Sequence, residues 1–247
     1  MFLPASDSCN TITIDIDTGS TTTTRKWQMK VTQYECGSMM MPDNNCLQYH
    51  TAASGTIASF NWDTTATTVA ATQYHLSSQY YDICIRRARN FCSVCYQPVI
   101  STATISYGIS GGTPVTGTST DALNAIGSLC TGISVASAIA ANERAYGDFL
   151  EIANAQDPTV TGAGAGVIGI QRMCGQQWSA KVGATFPVAV GTVCSWVVPF
   201  KVGVHFDENE LINLTPPATA NHENFGPVAL FGWGYSGFYL SYWQGSC

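Results

Sequence analysis

Ten cysteines, Cys9, Cys36, Cys46, Cys84, Cys92, Cys95, Cys130, Cys174, Cys194 and Cys247, are the residues of this 247-residue chain whose type and number most plainly specify chemistry. An even count spread along the chain, beside only four histidines, specifies disulfide bonds and not a metal cluster. Disulfides persist in oxidising compartments, which implies a secreted, extracellular protein. Cys92-Ser-Val-Cys95 has the spacing of a redox dithiol, but in an extracellular β-structure it reads as two structural bridges to different partners. His50, His75, His205 and His222 show no metal spacing such as His-Glu-x-x-His. Ser236 lies in Gly-Tyr-Ser-Gly, not in a Gly-x-Ser-x-Gly nucleophile turn, so neither His205 nor His222 has a recognisable serine partner. The chain reads as non-enzymatic.

The remaining chemistry is that of binding. Phe231-Gly-Trp-Gly-Tyr235 is a candidate surface presenting Trp233 and Tyr235, because its glycines leave the rings little neighbouring cover. Aromatic residues elsewhere suit the core of a sandwich. Asn213-Leu-Thr215 is the single N-glycosylation sequon, and the threonine-rich runs 21–24 and 64–72 could carry O-glycans, so the chain is expected to be a glycoprotein. Charged residues make up 11% of the chain, where about 25% is usual. The net charge of −6 argues against nucleic acid or an anionic membrane as partner. So little charge also removes the repulsion that keeps copies apart, which suits a glycan-covered domain or one that packs against copies of itself.

The elements that would position these residues are strands. Thr11–Asp17 and Trp27–Tyr34 alternate apolar and polar residues at period two. Gly55–Asn61 is a short strand, and Tyr81–Arg86 with Phe91–Tyr96 reads as a hairpin turned by Arg87–Asn90. Thr102–Ser110 alternates again, and further strands are expected at Val197–Phe206 and Gly237–Trp243. Ser134–Arg144 is the one short helical candidate, on account of its alanines. Many short strands punctuated by Gly and Pro make an all-β, antiparallel β-sandwich with long loops. The longest apolar stretch, Phe186–Val204, is broken by Pro187, Ser195, Pro199 and Lys201, so no membrane span is expected. Met1–Ser6 lacks the features of a signal peptide, as in a mature or processed product.

The order of these motifs resembles the CUB domain. Gly55-Thr-Ile-Ala-Ser-Phe-Asn61 is similar to that family's early Gly-x-Ile-x-Ser-Pro-Asn strand, with Phe60 in place of the proline. Cys84-Ile-Arg86, the run from Cys130 through Gly147-Asp-Phe-Leu-Glu-Ile152 to Cys174-Gly175, Pro199–Asp207 and Gly237–Tyr242 follow in the family's order. Trp27–Cys36, Cys46-Leu-Gln-Tyr49 and Ile83–Arg86 resemble the secreted CUB-domain proteins of insects and crustaceans. In that subgroup the Trp-x-x-Lys-Val strand closes a preceding CUB domain. The resemblance therefore implies an extension over 1–35 shaped like the last strands of a neighbour, and a CUB-like jelly roll with insertions over 36–247. It implies a Cys130–Cys174 loop, a local quartet of Cys36, Cys46, Cys84 and Cys92 with three possible pairings, and a terminal Cys194–Cys247 bond. Cys9 and Cys95 are left to join each other within the chain or to cross to a second one. Gly237 beside Phe238 suits a tight turn followed by an inward ring. Many CUB domains also hold calcium between acidic loops, and here Asp148 and Asp207 match two of the ligands; no other cofactor is implied. The function expected is an extracellular structural or interaction protein that forms a homo-oligomer or polymer. The alternative is a monomeric recognition module for glycans or protein partners.

Overall fold

The computed structural model describes residues 11, 13, 29–35, 38, 41–42, 46–69, 73–101, 105–109, 148–158, 170–173, 178, 191–206 and 236–247. Alternation decides the packing of the longest strands. Along β9 (Phe200–Phe206), Phe200, Val202, Val204 and Phe206 are buried while Lys201 and His205 are partly exposed. Along β10 (Gly237–Ser246), Phe238, Leu240 and Tyr242 are buried in the same way. A strand turns successive side chains to opposite faces, so two such strands in facing sheets share one apolar layer.

Among the described residues ten strands form the two sheets: β1 (Cys46–His50), β2 (Ser54–Ala58), β3 (Gln79–Ile85), β4 (Phe91–Pro98), β5 (Tyr107–Gly108), β6 (Phe149–Ala155), β7 (Ile170–Met173), β8 (Val193–Ser195), β9 and β10. The first sheet runs β1-β3-β9-β6-β7 and the second β2-β10-β4-β8, with β5 also on β10. Every pairing is antiparallel except β1 with β3, which is parallel. A bridge between Gln156, just past β6, and Cys194 on β8 links the sheets along one side. The core between them includes Ile57, Ile83, Val94, Tyr96, Leu150, Ile152 and Trp178. Trp178 donates its indole N–H to the Tyr96 carbonyl at 3.1 Å and meets Tyr107 edge-on. The expected all-β sandwich is therefore present, with no helix among the described residues. Among the described residues no helix is long and apolar enough to cross a membrane.

Several local expectations are corrected. β3 and β4 do not form a hairpin: β3 pairs with β1 and β9, β4 with β10 and β8, and residues 86–90 carry the chain from one sheet to the other. Loop length and polarity permit a hairpin turn, but the buried faces of the two strands are satisfied by distant partners. Of Trp27–Tyr34, residues 29–34 are described; they belong to no strand and are exposed. Of Thr102–Ser110, the described residues 105–109 include the two-residue β5, and β9 starts at Phe200, after the exposed run Trp196–Pro199. Ser134–Arg144, and all of Thr11–Asp17 except 11 and 13, lie outside the described residues.

The disulfides differ most from expectation. Cys46 bonds Cys84, Cys92 bonds Cys247 and Cys95 bonds Cys194. The expected Cys194–Cys247 bond is excluded by strand order, because β4 lies between β8 and β10. Strands two positions apart are about 10 Å apart, and a disulfide spans no more than about 7 Å between Cα atoms. Cys95 and Cys194 instead sit directly opposite in register on β4 and β8. Cys194 directs its backbone N–H and C=O to Gln156, so it meets Cys95 as a close, non-hydrogen-bonded pair. That bond also removes Cys95 as a partner for Cys9, and Cys92 leaves the supposed quartet for the chain's last strand. The two ends of Cys-x-x-Cys do go to different partners. Cys9, Cys36, Cys130 and Cys174 lie outside the described residues.

Burial holds the hydroxyls of Tyr81, Tyr96 and Tyr107 well above the ordinary tyrosine range. In the unfolded chain the same groups ionise near pH 10, so above that pH the unfolded state binds fewer protons and stability falls. The loss is about 1.4 kcal/mol per pH unit for each tyrosine, roughly 4 kcal/mol for the three together. Denaturant unfolding at stepped alkaline pH checks this, with tyrosinate absorbance from these three rising only as the fold is lost.

Candidate functional site

Asp148 begins the path to a site, because it is the one expected ligand among the described residues. It stands just before β6 with its side chain wholly buried, and its Oδ2 faces His75 Nε2 at 3.2 Å. His75 is equally buried and lies over the Phe206 ring, with centroids 4.1 Å apart. Gly237 closes the other side with φ +85°, where a Cβ would overlap Ser59 Oγ and approach His75 Cβ to 3.1 Å. Only glycine fits there, because positive φ and that contact both exclude a side chain. Ser59 Oγ accepts the Phe238 N–H at 3.1 Å, which ties β10 to the end of β2. Phe238 itself is fully buried, the inward ring that the sequence led us to expect.

Calcium takes six to eight oxygen ligands. The described residues offer one carboxylate, and it faces an imidazole nitrogen. Among them no group of three or more His, Cys, Asp or Glu is placed to hold a metal. The second expected ligand, Asp207, lies outside the described residues, as do Asn213, Trp233 and Tyr235. The arrangement at His75 and Asp148 is thus a buried polar pair that locks the end of the sandwich. Sequence reading saw both residues and did not join them, because they lie far apart in the chain and carry no shared motif.

A second constellation lies on the outer face of the first sheet. Register places Tyr80, His205 and Phe149 side by side across β3, β9 and β6. The His205 ring stacks on Phe149 at 4.5 Å and 17°, and meets Tyr80 near edge-on at 5.9 Å. Arg172 on β7 sets its guanidinium over the other rim of the row, 4.4 Å from the Phe149 centroid. His205 Nε2 also lies 3.4 Å from Glu151 Oε2, and Lys201 Nζ lies 3.5 Å from Asp82 Oδ2. Gly203 sits between Asp82 and Glu151 in the next row. A Cβ there would approach both Glu151 Cβ and His205 Nε2 to 3.2 Å, so glycine lets the imidazole fold down against the sheet. The outcome is a row of rings packed face to face and edge to face, bordered by carboxylates and cations. Rings of this kind stack on apolar faces, and the border supplies hydrogen bonds. Sequence reading placed its binding aromatics at 233 and 235 and missed this strip, whose members are adjacent only through strand pairing.

Removing the buried carboxylate tests the first constellation. Asp148→Ala should cost about 1–3 kcal/mol by leaving the His75 imidazole buried beside a gap. Denaturant unfolding in chelator-containing buffer measures it, so that the loss reports the pair itself.

Residues 43–245 match the family model described as the animal CUB domain. Comparison with curated proteins gives no match. A disulfide-bonded domain of this family is typical of extracellular proteins.

Proposed function

The chain belongs to the animal CUB domain family, and from that premise we propose that it acts outside the cell as a non-enzymatic interaction protein that associates with copies of itself. The observation that carries this reading is the exposed segment 29–35. Met29 is 50% exposed and Val31 74% exposed, although the segment alternates as a strand does. An exposed segment of that pattern suits addition to a sheet edge of another copy, where its apolar side gains a cover. Among the described residues the edges are β1 and β7 in one sheet and β2 in the other, since the outward N–H and C=O of β8 at Cys194 are taken by Gln156. The low charge of the chain supports the same reading.

Sedimentation velocity across a wide concentration range tests it. The native chain should associate in a concentration-dependent way, and Val31→Asp should weaken association by about tenfold or more through the lost apolar burial. A chain that stays monomeric at the highest concentration would sink the proposal.

A second reading, recognition of glycans, is favoured by one specific feature, the Tyr80–His205–Phe149 strip with Arg172 and Glu151 at its border. Sugar rings present an apolar face to aromatic side chains and hydroxyls to charged ones. A glycan array should then give hits that Tyr80→Ala reduces by about fivefold to tenfold, the equivalent of one lost stacking contact. A blank array removes this reading and leaves the first untouched.

A further inference from the structure

The end of the sandwich opposite His75 and Asp148 carries a different surface. Two connections cross between the sheets there, Arg86–Asn90 from β3 to β4 and Trp196–Pro199 from β8 to β9. β3 pairs with β9, with Ile85 opposite Phe200, and β4 pairs with β8, with Val94 opposite Ser195. Because both ends of each crossing are paired to both ends of the other, the two connections run side by side.

Their compositions complement each other. Trp196, Val197 and Val198 are 46%, 39% and 50% exposed, an unbroken apolar run at the tip of the crossing. Arg86, Arg87 and Arg89 are exposed beside it, three of the chain's ten lysines and arginines within four positions. Asp157 is the one acidic side chain among the described residues of the loops at this end, and residues 159–169, which join β6 to β7, contain no charge. Among the described residues, positive charge is therefore concentrated at this end.

The tip is also braced. Val197 N–H donates to Ser195 Oγ at 3.2 Å, and Ser195 Oγ donates to the Ala153 carbonyl. Arg86 N–H donates to the His50 carbonyl at 2.8 Å, and its guanidinium reaches the Thr51 carbonyl at 3.3 Å. The Cys92–Cys247 and Cys95–Cys194 bonds tie the strands directly behind both crossings. Apolar side chains are thus held out in water by structure.

We propose that this tip docks on an anionic phospholipid surface, with Trp196, Val197 and Val198 entering the interfacial layer and Arg86, Arg87 and Arg89 meeting lipid phosphates. An exposed apolar run flanked by three exposed arginines matches an anionic bilayer, which offers an apolar medium beneath a layer of phosphates. Tryptophan partitions to the headgroup level, and each basic residue near an anionic leaflet adds to the attraction. A glycan would engage the indole and the arginines but would leave two valines with nothing to bury against. Net charge alone argued against such a partner; the local distribution reverses that argument.

Vesicles of phosphatidylcholine with and without 30% phosphatidylserine, mixed with the full disulfide-bonded chain, test the proposal by co-sedimentation and tryptophan fluorescence. Binding to the anionic vesicles should fall with added salt and should be absent on pure phosphatidylcholine. Arg87→Gln with Arg89→Gln should weaken binding about 30-fold, from two lost basic contacts. Trp196→Ala should weaken it about tenfold or more and abolish the blue shift, with near-ultraviolet circular dichroism showing the fold retained. No binding to anionic vesicles, or equal binding by all variants, overturns the proposal. So does loss of self-association in Trp196→Ala without vesicle binding, which would make the tip a contact between copies. Val31→Asp separates this surface from the segment proposed above, since it should leave vesicle binding unchanged.

Discussion

Along β9, Phe200, Val202, Val204 and Phe206 turn into the sandwich while Lys201, Gly203 and His205 turn out, and the rest of the molecule depends on that alternation. The inward set packs against β10 and makes the core continuous between the sheets. The outward set carries the middle of the aromatic strip, since His205 can reach Tyr80 and Phe149 only because β9 pairs with both β3 and β6. At its far end Phe206 supports His75, and its near end emerges from the apolar crossing. A shift of β9 by one residue would exchange the two faces and remove all of these features together.

The disulfides follow from the same strand order. A bond forms where pairing brings two Cβ atoms within reach, whatever the separation along the chain. Cys95 and Cys194 are opposite each other in register, Cys92 and Cys247 lie at the ends of the neighbouring strands β4 and β10, and Cys46 and Cys84 join the paired strands β1 and β3. Each bond therefore reinforces a pairing that already exists. That is why two of the three close loops much longer than sequence order suggested, and why such bonds restrict the unfolded chain strongly.

The surface divides into ends and faces of unlike chemistry. One end is closed by a buried imidazole and carboxylate; the other projects tryptophan, valines and arginines into solvent. Between them the outer face of the first sheet presents aromatic rings with balanced charges at their border. A chain with few charges can still discriminate among partners when those it has are gathered in this way. The exposed segment 29–35 adds a further surface.

Much of this fold is legible in the residues alone. Alternation identifies β9 and β10, Gly237 and Phe238 mark the closing turn and ring, and cysteine number with low charge points to an extracellular β-sandwich. These signals are local, and local periodicity states which side of a strand is dry. Tertiary structure decided which strands meet. It separated β3 from β4 despite a turn-like connection, placed β4 between β8 and β10, and so redrew the cysteine pairs. It also brought Tyr80, His205 and Phe149 into one row, joined His75 to Asp148, and set three arginines beside Trp196. All of these depend on contacts between distant segments, and such pairing is chosen by the burial of whole faces at once. No single stretch of sequence carries that choice.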